Sequence, residues 1–125
     1  MCVFSFSGTG IVVDMDFDEI QKLIIANAER YSKKHQIDID LEWLLLKLTE
    51  ESGEFANALL IYRKKCRQEK CVDDDVAKDN LSKELVDVFT TLILLGDKLD
   101  IDVLDSMDRN VLEKGRRYLE SQSAP

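Results

Sequence analysis

Apolar side chains recur along this chain at alternating steps of three and four residues, the spacing of a helix that buries one face. Residues 16–34, DFDEIQKLIIANAERYSKK, open with Asp16 and Glu19 in the arrangement of a capping box and continue with that spacing. HQIDID is a short connection, after which Asp40 can cap a second helix. Over residues 41–65 the apolar positions are Leu41, Leu44, Leu48, Phe55, Ala58 and Tyr62, and Glu51 stands where the repeat calls for another. Residues 66–80, CRQEKCVDDDVAKDN, are polar and predict a loop that can include an early turn of the next helix. Asp73, Asp74 and Asp75 within it read as solvated loop able to cap that helix. From about residue 79 to 99, Leu81, Leu85, Val88, Leu92, Leu95 and Leu99 predict a third helix. Asp102 caps a last one through about Glu120, and SQSAP frays.

The only proline is Pro125, glycines after Gly10 are confined to Gly53, Gly96 and Gly115, and no Asn-Gly or Asp-Gly hairpin signal occurs. The expected fold is therefore all-α, an antiparallel four-helix bundle over residues 16–120. An N-terminal arm over 1–15 and a tail over 121–125 flank it. Residues 1–13 alternate weakly, and a short strand, an arm over a partner subunit and disorder all remain open. LEWLLLKL, ALLIY and VFTTLILL make the second and third helices apolar beyond one stripe. A homodimer or homotetramer is the expected way to cover that surface.

The 125 residues fit one domain, and 45% apolar with 34% charged residues fits a soluble globule. Twenty-five acidic against 17 basic side chains leave a formal charge of −8, which disfavours a nucleic-acid polymer or an anionic membrane as partner. A phosphate-bearing ligand then needs a metal cation as intermediary. No apolar run reaches the length of about 18 that a membrane span requires. MCVFSFSGTGIVV lacks the basic start of a signal peptide, and Cys2, Cys66 and Cys71 form no CxxC and lie far in sequence from His35. Reduced thiols in a cytoplasmic protein are expected, with neither a zinc site nor a disulfide framework. SGTG at residues 7–10 is too short for a dinucleotide fingerprint.

Chemistry concentrates at EESGE, residues 50–54, and ELVD, residues 84–87. On helices, Glu51 and Glu54 are neighbours, as are Glu84 and Asp87, and each pair lies beside the apolar seam. Like charges at this spacing cost about 0.2–0.5 kcal/mol per pair even when solvated. If the two helices are neighbours, four carboxylates converge, and hard divalent cations are the simplest compensation. Ordinary solvated helix surface is the competing reading. A di-iron site expects Glu-x-x-His on two helices, whereas the only histidine, His35, follows Ser32 at that spacing. Gly53 inside a helix suggests close approach of another helix or of ligand.

Glu50-Glu51-Ser52-Gly53-Glu54 followed by Glu84-Leu85-Val86-Asp87 resembles the MazG-like all-α nucleoside triphosphate pyrophosphohydrolases over residues 17–118. The resemblance implies magnesium, with manganese as a substitute, held by Glu51, Glu54, Glu84 and Asp87. It implies cleavage of a nucleoside triphosphate to monophosphate and pyrophosphate, with Glu50 as candidate base for the attacking water. It also implies phosphate-binding residues near the C-terminus, where Asn110, Lys114 and Arg117 share one helical face. AERYSKKH is similar to a stretch in the branch acting on deoxycytidine triphosphate and its modified forms, which makes His35 and Trp43 candidates for a base pocket. Phosphoribosyl-ATP pyrophosphohydrolases, a related group, usually carry a histidine where this chain reads VFTTL. A helical nucleotide-binding or protein-interaction module without catalysis is the alternative.

Overall fold

Asp16 starts the first helix as its spacing to Glu19 predicts: its carboxylate accepts from the Glu19 amide at 2.9 Å, and the Glu19 carboxylate accepts from the Asp16 amide at 3.2 Å. The computed structural model describes residues 3–4 and 13–123, and it is all-α apart from one two-residue antiparallel pair. That pair, β1 (Val3–Phe4) with β2 (Val13–Asp14), sets Val3 opposite Asp14 and Phe4 opposite Val13. Of the arm expected over 1–15, residues 1–2 and 5–12, which include Cys2 and SGTG, lie outside the described residues, as do 124 and 125.

Helix α1 spans Phe17–His35 and stops where Gln36 turns left-handed, φ 53°. Helix α2 spans Leu41–Tyr62, with Asp40 Oδ1 accepting from the Trp43 amide at 2.8 Å. It ends in a closing turn with Lys64 at φ 59° and the Lys65 amide donating to the Leu60 carbonyl at 2.8 Å. One 3₁₀ turn, Gln68–Lys70, precedes α3, Asp74–Lys98. This helix begins at Asp74 rather than near residue 79 as expected. Asp74 and Asp75 sit in its first turn, where the helix dipole favours negative charge. Ala77 is buried there, so a stretch polar by composition still contributes to the core. Asp102 caps α4, Val103–Met107, by accepting from the Asp105 amide at 2.9 Å. The chain then passes through a widened π turn, Asp108–Leu112, into α5, Glu113–Ser123, beyond the Glu120 end expected.

The main packing is α2 against α3, with α1 laid against α3. On α2 the buried positions are Leu44, Glu51 and Ala58, each seven residues apart, so Glu51 occupies the middle of the stripe that faces α3. Ala77 and Thr91 answer from α3. Ile93 and Gly96 are buried as well, and a methyl group at Gly96 would lie 2.5 Å from Val103 Cγ2, so α4 is seated against bare backbone. Past Glu113 every described residue of α5 is exposed. Of the four-helix bundle expected, one chain packs α1, α2 and α3 together and leaves the last helix without a buried face. No helix among the described residues is long and apolar enough to cross a membrane.

Candidate functional site

Pairing α2 with α3 brings together the carboxylates that lie far apart in sequence. Glu51, Glu84 and Asp87 each place an oxygen within 4.8 Å of the others, and Glu50, Glu51 and Glu54 do the same. Glu51 belongs to both sets and is only 6% exposed. Its Oε1 accepts an ion pair from Lys47 Nζ at 3.2 Å, but Oε2 is buried with no partner, and Glu84 Oε2 is likewise buried and unpartnered. Leaving one buried acceptor unsatisfied costs about 1–3 kcal/mol, and more when it is charged. Five carboxylates here face one ammonium, that of Lys47, which also pairs with Glu50 Oε1 at 3.1 Å. The donor set is oxygen throughout, which suits Mg²⁺ or Mn²⁺ rather than a thiolate- or imidazole-seeking ion.

Crowding and burial raise the proton affinity of two of these carboxyls. Coulombic repulsion from Glu51, then burial and the charge of Glu84, raise the Glu54 carboxyl above its ordinary value of 4.5. Burial, then Glu51, raise Asp87 above 3.8, with Lys47 opposing. Burial pulls the Lys47 ammonium down, yet its hydrogen bonds to Glu50 and Glu51 outweigh that and hold it above 10.5.

Two open cavities flank the cluster. The first, about 550 Å³, is lined by Tyr31 of α1, Trp43, Lys47 and Glu51 of α2, and Asp87 and Thr91 of α3. The Tyr31 and Trp43 rings stand 6.2 Å apart, tilted by 49°, and Lys47 Nζ lies 5.9 Å from the Trp43 ring. The second, about 560 Å³, is lined by Glu50, Gly53, Glu54, Asn57, Asn80 and Glu84. Nothing lies within 4 Å of a methyl group placed on Gly53, so no helix approaches it and the open space there is cavity.

Of the residues singled out from the sequence, Glu50, Glu51, Glu54, Glu84 and Asp87 are gathered at one place. Glu50, whose angle on the helix points away from the seam, joins them through its reach and its bond to Lys47. Trp43 lines the aromatic cavity, while His35 is exposed and stacks on Tyr31 at 4.5 Å between centroids. Asn110, Lys114 and Arg117 line neither cavity. Asn110 donates to the Ser106 carbonyl at 2.7 Å and Arg117 to Glu113 Oε1 at 3.0 Å. Lys47, Tyr31, Asn57 and Asn80 were not legible as site residues. Only Lys47 left a usable signal, three and four residues before Glu50 and Glu51 on one helix face. No family model matches the chain, and no curated protein is significantly similar to it.

The raised carboxyls fix the sign of a pH effect. A group with a folded pKa above its unfolded one contributes most below the unfolded value, and loses that contribution as pH rises through the folded value. Without metal, Glu54 and Asp87 therefore disfavour the folded state progressively above about pH 4. Glu113, lowered by its hydrogen bonds from Arg116 and Arg117, acts oppositely, so the clean comparison is with a variant lacking the repulsion. In EDTA at pH 7, Glu51→Gln is expected to raise Tm by roughly 3–6 °C, the gap closing as pH falls toward 4.5. A variant melting far below the wild type at pH 7 contradicts this reading.

Proposed function

We propose that the chain is a magnesium-dependent nucleoside triphosphate pyrophosphohydrolase, as its resemblance to the MazG-like family implies. The observation that carries this reading is the buried, unpartnered Oε2 of Glu51 at the centre of five convergent carboxylates beside an aromatic cleft. Glu51, Glu54, Glu84 and Asp87 would hold the cation. When bound, the ion neutralises phosphate charge, lowers the pKa of water and aligns it with the leaving group.

The remaining work falls to the chain. Tyr31 and Trp43 take a nucleobase by stacking, and His35, packed on Tyr31, closes the aromatic row. Lys47 reaches phosphate oxygen while staying tied to the carboxylates. Glu50, exposed and steered by Lys47, accepts the proton of the attacking water. Attack at the α-phosphorus breaks its bond to the bridging oxygen and releases monophosphate and pyrophosphate. A deoxycytidine-type or modified substrate is what the resemblance of AERYSKKH implies.

The reading also includes a homo-oligomer. Leu41, Leu45 and Leu59 are exposed along one side of α2, and Leu85, Phe89 and Leu92 along one side of α3. Apolar faces on two neighbouring helices are the kind of surface that a second copy covers. Asn110, Lys114 and Arg117 then reach phosphates from a second copy.

Incubation with a panel of triphosphates and Mg²⁺ is expected to yield monophosphate and pyrophosphate. Glu51→Gln and Asp87→Asn should each reduce kcat at least about 100-fold. Release of inorganic phosphate, or tight nucleotide binding without turnover, contradicts the hydrolase and in the second case favours the binding module. Light scattering at micromolar concentration should give a dimer or tetramer, and Leu45→Glu with Leu59→Glu should dissociate it. A stable wild-type monomer contradicts the assembly.

A further inference from the structure

We propose that Cys66 and Cys71, in the connection between α2 and α3, form a reversible dithiol–disulfide site oxidised by small anionic disulfides. The sequence places no CxxC here, yet the turns of the chain bring the two together. Lys64 in its left-handed conformation ends α2, and the 3₁₀ turn Gln68–Lys70, closed by the Cys71 amide donating to the Gln68 carbonyl at 3.1 Å, folds the chain back. The two Sγ atoms lie 3.5 Å apart as hydrogen-bonded thiols. A disulfide needs about 2.05 Å, a closure within reach of side-chain rotation in an exposed loop.

The surroundings select the oxidant. Cys66 lines a shallow cleft of about 540 Å³ with Lys64, Lys65, Arg67 and Lys70. Lys64 pairs with Asp74 and Arg67 with Glu69, each at 3.6 Å, whereas Lys65 and Lys70 make no ion pair with a described carboxylate. On a chain of net charge −8 this is a cluster of positive charge, which draws an anionic disulfide. Burial and the bond to Cys71 push the Cys66 thiol up, with Lys70 opposing, and Cys71, the more exposed of the two, meets the oxidant.

The Cys71 thiolate attacks one sulfur of oxidised glutathione. The glutathione S–S bond breaks, a mixed disulfide forms and one glutathione thiolate leaves. Cys66 then loses its proton and attacks the Cys71 sulfur, expelling the second glutathione. The cysteine pair loses two electrons, and one glutathione disulfide becomes two thiols. The site is independent of the proposed hydrolase activity.

The test uses the full chain with Cys2→Ser, treated with oxidised glutathione and returned to dithiothreitol. The expected product is a chain without cross-links to another chain and lighter by about 2 Da, with both thiols lost to Ellman's reagent and recovered on reduction. Tryptic cleavage within residues 64–70 should slow several-fold in the oxidised form. In the same background, Cys66→Ser and Cys71→Ser should each stop at the glutathione adduct. Oxidation should slow with added salt and be slower with cationic cystamine. A stable mixed adduct on the two-cysteine chain, or cross-linking between chains instead, overturns the dithiol. A rate indifferent to oxidant charge overturns the electrostatic selection.

Discussion

The arrangement depends on one unfavourable interaction, like-charged carboxylates held together where two helices meet. Glu51 takes the central position of a seven-residue stripe between Leu44 and Ala58, so the contact that joins α2 to α3 also buries a charge. Two buried oxygens, Glu51 Oε2 and Glu84 Oε2, have no partner. At about 1–3 kcal/mol or more apiece, this is a sizeable share of the roughly 5–15 kcal/mol by which a small domain is stable. A cation present at 100 times its Kd adds about 2.7 kcal/mol, the same order as the deficit. The ion pair from Lys47 answers only one oxygen of Glu51.

Position on the molecule extends the argument from stability to chemistry. The carboxylates separate an aromatic, half-apolar cavity from a second one lined by acids and amides. Under the proposed function, a nucleotide would set its base toward Tyr31 and Trp43 and its phosphates toward the carboxylates through the cation. Lys47 connects the regions, bonded to two glutamates and set near the Trp43 ring. Gly53 leaves the second cavity open where any larger residue would narrow it.

Helical periodicity and caps made most of the fold legible in advance. Asp16, Asp40 and Asp102 each accept the backbone hydrogen bond their positions imply. The five acidic site residues were legible too, because i,i+3 spacing fixes a common face once a helix is assumed. What composition hid was tertiary. The run Asp73–Asp75 looks like loop, yet Ala77 just beyond it is buried against α2 and extends α3 backward. Tyr31, Asn57 and Asn80 join the site only through packing across helices. Cys66 and Cys71 meet through turns that carry no spacing signature. The last helix shows the opposite case: its start follows the Asp102 cap, but its side chains past Glu113 find no cover within one chain.

Direct titration of the metal-free protein with Mg²⁺ by calorimetry, beside Glu51→Gln, tests the centre of this account. The wild type should bind a cation with proton release that grows as pH falls, because the Glu54 and Asp87 carboxyls are raised, and should melt higher when loaded. The variant should bind at least about tenfold more weakly. Wild-type protein that takes up neither Mg²⁺ nor Mn²⁺ at millimolar concentration would contradict it, leaving the two buried oxygens of Glu51 and Glu84 without a partner.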